Sequence, residues 1–237
     1  MLGSGVLAER PHLLSDAQIA LPRADYEQIA GFVRTVSGLV TLPAYQAAVA
    51  ERQGSLVVPM PPGVCLAFDF HVGTGAPQLI EINTNAGGAL LNRALARAQQ
   101  ASCTQIRPHL RPTTALDTLD QRWLDDFVNE WALHGRSGRP QRIAIVDEAP
   151  AQQYLHPEFL LFRHLFRSAG IDAVICDPGE LAFADGRLTH AGAPIDLVYN
   201  RLTDFYLQAP ALAALRAAYE AGAVVLTPNP HAHALFA

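Results

Sequence analysis

Two oxygen-bearing side chains, Glu81 and Asn83, occur two residues apart in a run that alternates between polar and apolar residues. On a β-strand such residues share one face, and their Cα atoms lie about 7 Å apart. Asp69, in an earlier alternating run, joins that face if the two runs pair around Gly75. Carboxylate and amide oxygens are hard ligands of the kind that Mg²⁺ prefers. The spacing therefore predicts a magnesium site, and a solvated strand face is the alternative.

A glycine pair follows this polar face. Gly87 and Gly88 stand just before a predicted helix that continues through Leu91 and Leu95. Glycine lets the backbone approach a ligand closely, and the first peptide N–H groups of a helix favour an anion. The pair therefore predicts a place where phosphate oxygens would meet the cation.

Arg201 comes just after a short strand that the sequence predicts over residues 196–199. Ligands of open parallel sheets collect at the carboxyl ends of the strands. A planar guanidinium group suits bidentate capture of a carboxylate, so Arg201 is predicted to bind an acid. A surface ion pair with Asp204 or Asp196 is the alternative.

Composition excludes several other kinds of chemistry. The chain has 237 residues, of which 50% are hydrophobic and 16% charged, enough for one large or two modest globular domains. All 17 cationic side chains are arginines, so no lysine can hold a phosphate, form a Schiff base or act as a base. A net charge of -5 and a pI near 6.0, without a basic run, argue against a nucleic-acid partner.

Cysteine usage and hydropathy indicate the compartment. Cys65, Cys103 and Cys176 are far apart and form no C-x-x-C pair, which supports neither a disulfide framework nor a cysteine zinc site. The first ten residues lack the apolar core of an export signal. No later apolar run approaches the roughly 18 residues needed to span a bilayer. We expect a cytoplasmic protein with no membrane partner.

The amino-terminal part is predicted to contain helices and one β-hairpin. Apolar residues recur at helical spacing, a Pro/Gly-rich link follows at residues 59–63, and two period-two runs flank the glycine-rich turn at residues 73–75. The predicted elements are helices at residues 24–42 and from Pro43, the hairpin at 64–71 and 78–83, and helices through Leu91 and over residues 119–133.

Beyond a Gly/Pro-rich loop at residues 135–140, strands and helices alternate, which predicts parallel βαβ units with right-handed crossovers. Asp185 and Gly186 mark a small extra hairpin. We therefore predict an α/β fold with a Rossmann-like parallel sheet at residues 138–237, after a helical and hairpin-containing domain at residues 1–137. The predicted elements are strands at 143–146, 173–176, 196–199 and 224–226, and helices at 158–169 and 211–221.

The run Glu-Ile-Asn-Thr at residues 81–84, preceded by an Asp-aromatic strand and followed by the glycine pair, resembles the magnesium-binding strand of eukaryotic-type glutathione synthetases. These enzymes are carboxylate–amine ligases of the ATP-grasp superfamily. The order of elements from residue 143 to the Thr-Pro-Asn-Pro segment at 227–230 is also similar to theirs. The resemblance covers about residues 64–237 and implies that the Rossmann-like sheet is of the type that precedes an ATP-grasp module.

The resemblance implies a reaction and a site. The γ-phosphate of ATP would pass to a substrate carboxylate, and an amine would capture the acyl phosphate, so the partners are small carboxylates and amines and the cofactors Mg²⁺ and ATP. The implied residues are Glu81 and Asn83 for Mg²⁺; Glu81, Gly87 and Gly88 for the nucleotide; and Arg201, also the implied catalytic residue, with Asn85 and Asp69 for the acid substrate.

Departures from the family pattern bear on the substrate and on turnover. Ala67 stands where the family carries a substrate arginine, and Asp204 stands where it carries an aromatic residue, so we expect an acid other than that of glutathione synthesis. The lysine-bearing ATP-binding module would follow residue 230, and the chain stops seven residues later. We expect an incomplete fragment that is inactive alone. The alternative is a non-catalytic module that binds a small acid or nucleotide. The sequence does not decide between a monomer and a homodimer.

Two histidines near the carboxyl end complete the candidates. His231 and His233 form an H-x-H pair that could hold a metal, and a solvated loop is the alternative. Leu235 and Phe236 are expected to begin an apolar helix with nothing to pack on. Trp123, Phe127 and Trp131 recur every four residues, which favours a helix that packs in the core.

Overall fold

The computed structural model describes residues 10, 12–15, 20–53, 60–61, 63–102 and 116–236. Cys103, most of the first ten residues and part of the link at 59–63 lie outside these ranges. None of the helices in the described part combines the length and apolar character that a bilayer crossing requires. Cys65 and Cys176 are buried free thiols, and burial raises the pKa of each to about 12.

The described residues of the amino-terminal half form helices and one antiparallel hairpin, as predicted. Period-two alternation and the glycine-rich turn give the two strands, and Pro43 begins the second helix, where its missing N–H costs nothing. The elements are helices α1 (Arg23–Leu39) and α2 (Pro43–Gln53), strands β1 (Ala67–His71) and β2 (Gln78–Asn83), and helices α3 (Ala89–Ser102) and α4 (Leu119–Leu133).

The carboxyl-terminal half contains a four-stranded parallel sheet, which confirms the predicted α/β fold; in spatial order its strands cover residues 172–176, 142–146, 197–200 and 225–227. A small antiparallel sheet within residues 181–194 turns at Asp185 and Gly186, both at positive φ, as the predicted hairpin requires. The elements are β3 (Arg142–Val146), α5 (His156–Ser168), β4 (Asp172–Cys176), β5 (Leu181–Ala184), β6 (Arg187–His190), β7 (Ala193–Pro194), β8 (Leu197–Asn200), α6 (Ala213–Glu220), β9 (Val225–Thr227) and α7 (Pro230–Phe236).

The sheet separates two hydrophobic clusters because its strands are apolar on both faces. Ile143 and Ile145 of β3 face the cluster under α4 and α5, whereas Ala144 and Val146 face the cluster under α6. The first cluster is aromatic. Phe127 of α4 is fully buried and meets the rings of α5 and β8 edge-on at 5.0–5.9 Å, which confirms the predicted core-facing stripe.

Helix α7 is well packed, and the expectation of an apolar helix start with nothing to pack on is wrong. Leu235 is buried together with Val40 and Val49 of the α1–α2 region. The Tyr45 hydroxyl donates to the Leu235 carbonyl at 2.7 Å, across 190 residues of sequence. Phe236 meets Phe68 of β1 edge-on. The amino-terminal elements therefore pack onto the last helix described, a contact that local patterns do not encode.

Candidate functional site

The first group of candidate residues lies on the β1–β2 hairpin. Asp69 pairs directly with Glu81, as the sequence predicted, and the register shifts at the next residue of β1. The Asn83 amide nitrogen donates to Asp69 Oδ2 and to Glu81 Oε1, each at 3.0 Å. We call these three side chains the hairpin face. Rotating the amide by 180° would present its oxygen to the same point as the two carboxylates.

The chemistry of this donor set fits a divalent cation. Two carboxylates and one amide oxygen are hard ligands, and both acids are exposed, which leaves room for water and phosphate oxygens. Within the described ranges, no three or more His, Cys, Asp and Glu residues cluster as a metal site would need. The hairpin face therefore has three oxygen ligands only if the amide oxygen of Asn83 joins the carboxylates of Asp69 and Glu81. The metal role of Glu81 and Asn83 stays a prediction.

The end of β2 connects the hairpin face to the parallel sheet. Thr84 is 2% exposed, and its hydroxyl lies 3.0 Å from His233 Nδ1 on α7. The Asn85 side-chain amide donates to the Leu202 carbonyl at 3.0 Å, just beyond β8. Asn85, predicted to face the substrate, also lines a cavity at that edge of the sheet.

The histidine pair has a structural place in α7. His231 is buried, and His233 stacks on the Phe205 ring with centroids 3.9 Å apart. Burial lowers the pKa of both histidines. The solvated-loop alternative is wrong, and residues two apart on a helix do not face each other, which disfavours a shared metal.

Arg201 is buried at the carboxyl end of β8 and is not a surface residue. Its Nη1 donates to the carbonyls of Asn85 and, at 2.6 Å, Ala86. The guanidinium lies over the Tyr199 ring at 5.6 Å. Its Nε is buried and has no hydrogen-bond partner among the residues described. The alternative of a surface ion pair with an aspartate is therefore not what the structure shows.

The glycine pair is explained by close approach of the protein to itself. A Cβ on Gly87 would lie 2.5 Å from Leu155 Cδ1 and 2.6 Å from Arg201 Nη2. Gly88 has φ +94°, a backbone conformation that favours glycine. We call residues 85–90 the glycine turn. Its role in nucleotide binding stays a prediction.

A carboxylate that the sequence analysis did not single out occupies the start of α3. Glu158 of α5 is 1% exposed, and its two oxygens accept the N–H groups of Gly88 at 2.6 Å and Leu90 at 3.0 Å. Burial raises the pKa of Glu158, while these N–H groups and the charge of Arg201 oppose the rise. The anion predicted at this helix start is supplied here by the protein itself.

A cavity of about 480 Å³ lies at the carboxyl edge of the sheet, lined by Asp147, Tyr154, Arg201 and Thr203 among others. We call it the edge cavity. In the sheet, β4 and β8 pair with opposite edges of β3, so the direction of the strand order reverses there. Such a switch point in a parallel sheet forms a ligand-binding crevice at the carboxyl ends of the strands. The volume is in the range of small-molecule sites.

Asp147 and Arg201 stand side by side in this cavity because Val146 and Asn200, which precede them, are register partners. Burial raises the pKa of Asp147 to about 6, against a backbone hydrogen bond from Glu148 and the charge of Arg201, which lower it. Sequence reasoning could have found Asp147 at the end of a buried strand. It could not have found Glu158, which contacts the glycine turn across about 70 residues of sequence.

No family model matches the chain, and no curated protein matches it. Among solved structures, the chain is similar to a glutathione synthetase-like effector from Globodera pallida in its apo form, with a TM-score of 0.49 and 17% identity. The match covers 91% of this chain and 54% of that one. The chain therefore spans about half the length of the solved structure.

Proposed function

We propose that this chain binds a small amino-acid-like carboxylate in the edge cavity, beside a divalent cation on the hairpin face. The observation that carries the proposal is the buried guanidinium of Arg201, which lines the edge cavity at the switch point of the sheet. A ligand carboxylate in that cavity would meet a planar cationic group that suits it.

Neighbouring groups favour an acid that also carries an amine. Asp147 lies next to Arg201 in the edge cavity, so the two strand ends offer one cationic and one acidic side chain. Gln153 donates to the Glu148 carbonyl at 2.7 Å and holds the loop that borders them. A zwitterion would place its carboxylate on Arg201 and its ammonium group on Asp147.

The metal would be held by Asp69, Glu81 and Asn83. A bound Mg²⁺ would neutralise charge on phosphate oxygens. The motif at residues 81–84 supports an ATP-dependent carboxylate–amine ligase similar to glutathione synthetases. In that reaction the γ-phosphoryl group moves to the substrate carboxylate, and an amine then displaces phosphate. This chain's own contribution would be to bind and orient the acid through Arg201.

A binding module without turnover is the second candidate. It is favoured by Glu158, which accepts the hydrogen bonds from the N–H groups at the start of α3 that a phosphate would otherwise accept. The absence of lysine from the sequence favours it as well. We expect weak nucleotide binding and negligible turnover from this chain alone, because it has no lysine to place on the triphosphate.

Titration calorimetry with a panel of amino acids and γ-glutamyl peptides tests acid binding. We expect at least one to bind, and Arg201→Lys to weaken it about tenfold or more because the planar fork is lost. Arg216→Lys is the matched control, since Arg216 pairs with Glu220 at the surface. Failure of the whole panel to bind would refute the proposal.

An assay of ADP release with ATP, Mg²⁺, the bound acid and a panel of amines separates the two candidates. Metal-dependent ADP formation that requires both the acid and an amine would support the ligase and would contradict our expectation that the chain is inactive alone. Acid binding without ADP formation would favour the binding module.

A further inference from the structure

The glycine turn is held on both sides by opposite charges from the parallel-sheet half of the molecule. On one side, Arg201 donates to the carbonyls of Asn85 and Ala86. On the other side, Glu158 accepts the N–H groups of Gly88 and Leu90. The turn that links the hairpin face to α3 is therefore fixed by one cation and one anion.

Glu158 is itself firmly placed. It lies in the first turn of α5, next to Phe159, which is 1% exposed in the aromatic cluster. Both of its oxygens carry hydrogen bonds, and the side chain is almost fully buried. The side chains of Leu155, Arg201 and Glu158 all approach the backbone at Gly87, where a Cβ would lie 2.5–3.1 Å from them.

The charges make the two residues depend on each other. A buried guanidinium needs a compensating anion, and both Glu158 and Asp147 interact electrostatically with Arg201. If Glu158 were neutral, Asp147 would be the remaining acid of the two. Arg201 would then be drawn toward Asp147, and the turn carbonyls would lose their donor.

We propose that Glu158 is a positioning residue for Arg201. It serves as the internal anion of the glycine turn, so that Arg201 keeps its Nη1 on the turn carbonyls while the residue lines the edge cavity. The same contact keeps phosphate away from the start of α3. This inference rests on the proposed function, because it assigns Glu158 a role toward the arginine that binds the acid.

The test follows the guanidinium Nη–H signals of Arg201 by NMR at low temperature in protein labelled with ¹⁵N-arginine. The signals are assigned by their loss in Arg201→Lys. In Glu158→Gln we expect exchange of the Nη1–H groups with water to become about tenfold faster, because their hydrogen bonds to the turn carbonyls are weakened. Glu130→Gln is the matched control, because Glu130 is also a buried acid, 3% exposed, but lies beside His134 on α4.

An unchanged Arg201 exchange rate in folded Glu158→Gln would overturn the proposal, as would an equal change in Glu130→Gln, which would indicate a general loss of stability. A second measurement does not depend on the variant folding. Inorganic phosphate, added to the unmodified chain, should leave the amide signals of Gly88 and Leu90 in place. A saturable shift of both would show that Glu158 yields this position to an anion and would refute the proposal.

These measurements use no acid ligand. If no acid binds the unmodified chain, the proposed function fails while the exchange rates still decide the role of Glu158. If acids bind but the exchange rate of Glu158→Gln is unchanged, only this further inference fails.

Discussion

The hairpin face and the sheet edge present similar side chains in opposite surroundings. On the hairpin face, Asp69 and Glu81 are exposed and meet an amide in water. At the sheet edge, Glu158 and Arg201 are buried and bond to peptide groups of the glycine turn. Polar groups in water are cheap to replace, whereas buried ones become costly when they lose a partner. The two regions should therefore answer substitution in different ways.

The largest difference in stability should come from glycines in the two regions. Gly87→Ala places a Cβ within 2.6 Å of Leu155 Cδ1 and Arg201 Nη2, and Arg201 cannot shift without losing its hydrogen bonds to the turn carbonyls, so we expect a loss of about 2–3 kcal/mol in the free energy of unfolding. Gly75→Ala, in the hairpin turn, meets nothing within 4 Å and should change little. Denaturant titration of both variants measures the contrast, and equal stabilities would break it.

Arg201→Lys should be the next most damaging change. The ammonium group cannot reproduce the fork that serves two carbonyls, and a buried charge is left poorly paired, so we expect a loss of about 2 kcal/mol. Arg216→Lys, at a half-exposed ion pair, should stay within about 0.5 kcal/mol. The melting temperatures of the two variants give the comparison, and similar values would show that burial of Arg201 does not matter.

The pH dependence of stability should carry the signature of Asp147. Its pKa is raised from 3.8 to about 6, so the folded state binds the proton more tightly than the unfolded chain does. The stability from this group is full below pH 3.8 and is lost as pH rises through about 6. Asp147→Asn should remove that loss, worth about 1 kcal/mol after solvent screening. Parallel unfolding profiles of variant and parent from pH 4 to 7 would contradict this.

The smallest effect on stability is expected on the hairpin face. Glu81→Ala should leave the melting temperature almost unchanged, because the side chain is exposed, yet it should abolish Mg²⁺-dependent nucleotide binding. Gln78→Ala, at the far end of β2 opposite His71, is the control. Calorimetry with Mg²⁺ and ATP provides the measurement, and an affinity that survives Glu81→Ala would remove the hairpin face from the site.

Local patterns in the sequence predicted the parts of the site that depend on local structure. Period-two alternation placed Asp69 opposite Glu81, and the βαβ pattern placed Arg201 at the end of a parallel strand. The same patterns missed Glu158 because its partners lie about 70 residues away, and an acid in the first turn of a helix is also common at surfaces. For Gly87 the sequence predicted that a ligand approaches the backbone closely. It did not indicate that the side chains of Leu155 and Arg201 occupy that position.

The hydrogen bond from Tyr45 to Leu235 also constrains the order of events while the chain is being made. The two residues are 190 positions apart, and ribosomes add about 5–20 residues per second. The α1–α2 hairpin must therefore wait about 10–40 s for the helix that covers its apolar side. During that interval Val40 and Val49 have no native cover from α7, so this apolar segment of the nascent chain stays exposed until the last helix has been made.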